Sequence, residues 1–121
     1  MTPCFGDTSY FLALLIPGDE NHHAARKVAV ALGRPIVTSE FVVVEVGNFL
    51  SALAARKRFG TFIRALRQDP QTTIVPASSG LLTAGIELYL DRTDKSWSLT
   101  DCISFEIMRQ HGITEALLTA T

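Results

Sequence analysis

Charge is sparse and balanced in this sequence: Lys, Arg, Asp and Glu make up 19% of its 121 residues, with 11 basic side chains against 12 acidic ones. Overall basicity therefore gives no argument for nucleic-acid binding, and any such role must rest on a local patch. Cysteine is scarce as well. Cys4 and Cys102 are too few for a disulfide framework or a structural zinc site, and neither belongs to a C-x-x-C pair. A reducing cytoplasm is the compartment expected. Long apolar runs are also missing. The stretch 11–16 has no basic segment before it and is closed by Pro17, Gly18, Asp19 and Glu20, so it reads neither as a signal peptide nor as a membrane span. No low-complexity tract, linker or internal repeat divides the chain, and its length suits one domain with a real core.

What the chain does have is apolar residues, at 47%. That excludes a disordered tail and suggests that some apolar surface is hidden by a partner, self-association being the simplest. These residues are patterned as short strands alternating with amphipathic helices. Strands are expected at 4–6, 35–38, 72–75 and 115–120. Helices are expected at 10–16, at 21–32 with Ala24, Val28, Ala31 and Leu32 on one stripe, and at 39–58 as one buried helix. Another spans 59–68, one opened by Ser78 carries Leu82, Ile86 and Tyr89, and a last one runs over 99–110 between Ser98 and Gly112. Residues 91–97 form a loop. Such an alternation implies a parallel sheet with helices on both faces, whose ligands bind beyond the C-terminal ends of the strands.

Three acids stand where that crevice falls. Asp7 lies between the first strand and the first helix, a position equally suited to a helix N-cap. Glu45 is the only charge between Glu40 and Arg56, among Val42, Val43, Val44, Val46 and Phe49, and is expected to be buried. A buried carboxylate needs a pair, hydrogen bonds or a cation, and Asn48 follows on the same helical face. Asp101 completes an S-x-x-D capping pattern with Ser98. Carboxylates that converge without Lys or Arg repel one another unless a cation sits between them, and oxygen-only ligation selects Mg²⁺ or Mn²⁺ over zinc.

The blocks around these acids carry a family resemblance. Phe5, Gly6, Asp7, Thr8 and Ser9, then the run 44–50 (Val-Glu-Val-Gly-Asn-Phe-Leu), then the run 97–105 (Trp-Ser-Leu-Thr-Asp-Cys-Ile-Ser-Phe) stand in order along the chain. Together they resemble PIN domains, the nuclease fold of VapC-like toxins. The resemblance implies a single PIN-like domain over 1–121, a three-layer α/β/α fold with a central parallel sheet of four to five strands. It implies a metal-dependent endoribonuclease in which Asp7, Glu45 and Asp101 are the catalytic ligands of Mg²⁺ or Mn²⁺. Thr8 and Asn48 would orient the site through hydrogen bonds. It implies an RNA substrate, a small cognate antitoxin and a homodimer. It further implies an acid where Thr121 stands and a closing segment beyond it. The competing reading from another class is a PIN domain that binds RNA or protein without cutting it. A receiver-like or flavodoxin-like binder is a weaker alternative, since no glycine-rich loop follows the first strand.

Substrate phosphates call for positive charge. Arg92 and Lys95 in the loop are the candidates for substrate binding, with Arg56, Lys57, Arg58, Arg64 and Arg67 as further basic positions. Trp97 suits either stacking on a base or packing. His22 and His23 are adjacent and on a helix point about 100° apart, so they cannot chelate one ion. Cys4 and Cys102 read as core residues.

Overall fold

A computed structural model describes residues 2–117. Strand β1 (Cys4–Gly6) is buried along its whole length and pairs in parallel with β2 (Ile36–Ser39) on one side and β4 (Ala116–Leu117) on the other. Beyond β2 lies β3 (Thr72–Val75), giving the order β3-β2-β1-β4. The chain thus builds outward from β1 through β2 to β3, then returns to the far side of β1. That reversal makes β1 the switch point, where an open parallel sheet leaves a crevice at its carboxyl edge. Four strands meet the expectation of four to five. The expected strand 115–120 is seen at Ala116–Leu117, and residues 118–121, including the position expected to carry an acid, lie outside the described residues.

The helices flanking the sheet are α1 (Thr8–Leu15), α2 (His22–Ala31), α3 (Glu40–Phe49), α4 (Leu53–Gln68), α5 (Ser79–Asp91) and α6 (Leu99–His111). No helix among the described residues is long and apolar enough to cross a membrane. Phe5, Phe11, Val42, Val46, Ile103 and Ile107 are almost wholly buried and form the centre of the core. Cys4 and Cys102 are buried there as expected, and burial pushes both thiols up from their ordinary range, which keeps them protonated and unreactive. Two polar side chains inside the core do local work. The Thr38 hydroxyl donates to the Gly6 carbonyl at 2.8 Å, tying β2 to the end of β1, and Ser39 Oγ accepts from the Val42 amide at 3.2 Å to start α3. Gly6 itself admits no side chain, because a Cβ there would lie 2.5 Å from the Phe11 ring.

The structure corrects several sequence expectations. The run 39–58 is not one helix: α3 ends at Phe49, Leu50 turns inward to be buried, and α4 begins at Leu53 and continues without a break past Phe59. Neither Gly nor Pro marks that break, so the burial of Leu50 decides it. On α2 the buried residue is Ala25, while Ala24, Val28 and Ala31 face outward. The helix is held instead by a 2.7 Å hydrogen bond between His22 Nδ1 and the Ala13 carbonyl. On α5 the expected stripe of Leu82, Ile86 and Tyr89 is exposed, and Leu81 and Gly85 face inward. Close approach to α6 explains this: a Cβ on Gly85 would sit 3.2 Å from both the amide nitrogen and the Cα of Ile103.

That contact gives a test of the packing. Because a Cβ there would meet the Ile103 side chain first and that residue's backbone just behind it, Gly85→Ala should cost about 1–3 kcal/mol, as overpacking does. It should lower the urea midpoint with little change in m-value. An unchanged midpoint would show that α5 can move off α6 freely.

Candidate metal and catalytic site

Asp7 stands at the carboxyl end of β1, and its amide donates to the Leu117 carbonyl at 3.1 Å, the last rung between β1 and β4. It occupies the N-cap position of α1 in extended conformation, yet its side chain makes no capping hydrogen bond. A plain helix-cap role is therefore not what its carboxylate performs. The group is half-buried, and burial first, then the nearby charges of Asp101 and Glu45, push its pKa above the ordinary carboxylate range. The Thr8 amide and the Ser9 hydroxyl pull the other way without cancelling the rise. Asp7 thus lies within the field of both other acids. Among the described residues, none of the three forms an ion pair.

Asp101 reaches the site from the first turn of α6. Its amide donates to Ser98 Oγ and its Oδ2 accepts from the Ser98 amide, both at 3.0 Å, so the expected capping box is formed in full. The cap and a role at the site are compatible, since the box uses one carboxylate oxygen and leaves Oδ1 uncommitted among the described residues. Glu45 comes from the second turn of α3. It was expected to be buried and is instead half-buried, because α3 sinks Val42 and Val46 and leaves Val44 and Phe49 in the open. It makes no hydrogen bond to Asn48. Both instead line one cleft of about 530 Å³ between α3, α5 and α6, with Phe41, Leu82, Leu99 and Thr100 among its walls.

Thr8, expected to orient the site, is buried next to Asp7, and its Oγ1 has no hydrogen-bond partner among the described residues. Ser104, one turn along α6 from Asp101, is the same: buried, with an unpartnered Oγ. An orphaned buried hydroxyl costs free energy, and such groups in native proteins call for a ligand or water to satisfy them. Sequence reasoning missed Ser104, although its i+3 spacing from Asp101 on a helix was the signal that could have found it.

These side chains suit a hard divalent cation in donor type and in charge: carboxylates without an ion pair among the described residues, and buried hydroxyls without a partner on the residue after Asp7 and one helical turn after Asp101. They do not form a closed cage. Among the described residues, no three His, Cys, Asp or Glu side chains converge tightly enough to enclose an ion.

The basic candidates fall in two places. Arg56, Lys57, Arg58, Arg64 and Arg67 all lie on α4, a helix without a single acid. Arg92 and Lys95 gather over the ring of Trp97, in the loop that leads to Ser98.

A four-stranded parallel sheet with three acids around its switch point is the frame of a PIN domain. The PIN domain family profile matches residues 4–120, and the chain belongs to that family. Within it the chain is VapC-like. Two curated relatives, both named 23S rRNA-specific endonuclease VapC20 and drawn from two strains of Mycobacterium tuberculosis, are each 26% identical over 112 residues, covering 93% of this chain and 85% of theirs. The crystal structure of Mycobacterium tuberculosis VapC20, described as a Sarcin-Ricin loop cleaving toxin, superposes with a TM-score of 0.86 at 23% identity over 97% of this chain and 89% of that one. FitAcB from Neisseria gonorrhoeae shares the fold at a TM-score of 0.61 and 19% identity, over 94% of this chain and 86% of that one.

The raised pKa of Asp7 has a consequence for stability. A carboxyl that is harder to ionise in the folded state than in the unfolded one favours folding fully below its unfolded pKa of about 3.9, and that contribution is lost as the pH rises through the folded value. Asp7→Asn removes the charge, so it should raise Tm at pH 7, and its advantage should shrink as the pH falls toward about 4. Thermal melts across that range test this; a Tm lowered at pH 7 would mean that the Asp7 charge is compensated in the fold.

Proposed function

We propose that this chain is a metal-dependent endoribonuclease, the toxin of a toxin-antitoxin pair, with Asp7, Glu45 and Asp101 as its catalytic metal ligands. The observation that carries the reading is the half-buried Asp7 carboxylate at the end of β1, which has no ion pair among the described residues and lies in the field of Asp101 and Glu45. A Mg²⁺ or Mn²⁺ ion held by the three carboxylates would supply an activated water and offset the charge growing on the phosphate, giving 5′-phosphate and 3′-hydroxyl products.

The protein's own contribution is placement. Asp7 is fixed by its backbone bond to β4, and Asp101 is aimed by the Ser98 cap, so two acids sit on rigid element ends. Glu45 enters from the side of the cleft, whose mainly apolar lining suits a nucleotide's sugar and base. Asn48, also lining the cleft, is the candidate to hydrogen-bond the substrate there. Thr8, next to Asp7 in the chain, and Ser104, one turn along α6 from Asp101, hold buried hydroxyls free to bond water or a ligand oxygen. The carboxylates act as ligands more than as a conventional acid and base.

A homodimer is favoured by apolar side chains left in the open, with Leu53 81% exposed and Phe49 and Leu90 each 67% exposed. A cognate antitoxin protein is the other partner we assign, and a reducing cytoplasm suits the two free, buried cysteines.

The test is cleavage of 23S rRNA and of a mixed RNA pool, followed on gels with Mg²⁺, with Mn²⁺ and with EDTA. Cutting should need metal, and Asp7→Asn, Glu45→Gln and Asp101→Asn should each slow it by about 100-fold or more, beyond what loss of an orienting partner alone costs. RNA bound but left uncut in both metals would make the chain a binding module instead.

A further inference from the structure

One aromatic side chain organises the charges in the loop between α5 and α6. The Arg92 guanidinium carbon lies 5.1 Å from the centroid of the Trp97 ring and Lys95 Nζ lies 5.8 Å from it, both within reach of the ring's negative face. The ring is itself held edge-on to Phe105 of α6, with centroids 4.8 Å apart at 68°. Lys95 would otherwise sample solvent, so Trp97 is what gathers it beside Arg92. Its neighbour in the chain is Ser98, which caps α6 and grips Asp101 through both bonds of the capping box. The cations are therefore anchored one residue away from the clasp of a candidate metal ligand.

Arg92 is also occupied. Its Nε and one terminal nitrogen donate to the two carboxylate oxygens of Asp94, each at 3.0 Å. This fork is the geometry that a phosphate uses on arginine. The pair is partly exposed, at 39% for the Arg92 side chain and 62% for Asp94, and such pairs are weak enough to exchange partners.

We propose that Trp97 is a positioning residue that holds Arg92 and Lys95 as a two-cation clamp on the RNA backbone beside Asp101, with Asp94 as the internal counter-ion that a substrate phosphate displaces. The proposal rests on the nuclease reading and adds to it how substrate is seated.

The experiment uses the Asp7→Asn chain with EDTA present, conditions under which the nuclease reading expects no cutting, and a fluorescein-labelled mixed-sequence single-stranded RNA pool, with binding read by anisotropy between about 50 and 200 mM salt. Trp97→Ala should weaken binding and flatten the slope of log K against log salt by about 1.4, the loss of two phosphate contacts at about 0.7 each. Trp97→Phe keeps a ring face and should restore most of both, while Asp94→Asn should tighten binding. Should Trp97→Ala fail to fold by circular dichroism, the Arg92→Gln, Lys95→Gln double variant should show the same loss of slope. Equal weakening by Ala and Phe with an unchanged slope, or weaker binding by Asp94→Asn, would overturn the clamp. Absence of RNA binding with Trp97 intact would overturn the nuclease reading, and the clamp with it.

Discussion

A carboxylate held half-buried without an ion pair is the constraint on which this molecule's organisation depends. Asp7 sits half-buried at the end of the central strand, in the field of Asp101 and Glu45, and no base among the described residues pairs with any of the three. A fold selected for stability alone has no reason to keep this arrangement, since replacing one acid by a neutral isostere removes the penalty. Groups whose pKa is moved by burial together with specific neighbours cluster at functional sites for that reason. The orphaned hydroxyls of Thr8 and Ser104 extend the pattern, because they too cost free energy until something outside the protein satisfies them.

The scaffold is arranged to hold the strain. Gly6 lets the Phe11 ring close over the end of β1, Thr38 ties that end to β2, and the Asp7 amide ties it to β4. On the other side Gly85 lets α5 come down on Ile103, two residues from Asp101, while Ser98 clasps the acid itself. Glu45 is the freest of the three. It comes from a helix whose outward face is apolar and open, so the cleft beside it is defined by what α5 and α6 leave uncovered.

The sequence made much of this legible, and the misses have physical causes. The strands and the three acids could be read because strand ends and helix starts are marked locally, by β-branched runs, by Ser39, Ser78 and Ser98, and by Gly112 in the left-handed conformation. The Ser98 and Asp101 box follows from four consecutive residues and needs no tertiary knowledge. What failed was the choice of buried face. On α5 the apolar spacing of Leu82, Ile86 and Tyr89 was the stronger pattern, but a glycine turned the helix so that its smallest residue met α6. Small residues carry little hydrophobic signal and yet decide how closely backbones approach. The break after Phe49 was hidden for a similar reason, since it depends on where Leu50 finds a core and not on any breaker in the chain. Glu45 is read as buried from its five apolar neighbours in sequence, whereas two of those five, Val44 and Phe49, face solvent.

The central claim is that Asp7, Glu45 and Asp101 form one divalent-cation site. Calorimetric titration with Mn²⁺, repeated from acid to neutral pH in buffers of different ionisation enthalpy, addresses it most directly, because a carboxyl with a raised pKa gives up its proton to the ion at the acid end of that range. The account predicts binding that releases protons and that is lost in Glu45→Gln and in Asp101→Asn as well as in Asp7→Asn. Affinity unchanged by Glu45→Gln or Asp101→Asn, or an absence of Mn²⁺ binding by the unsubstituted chain, would contradict it.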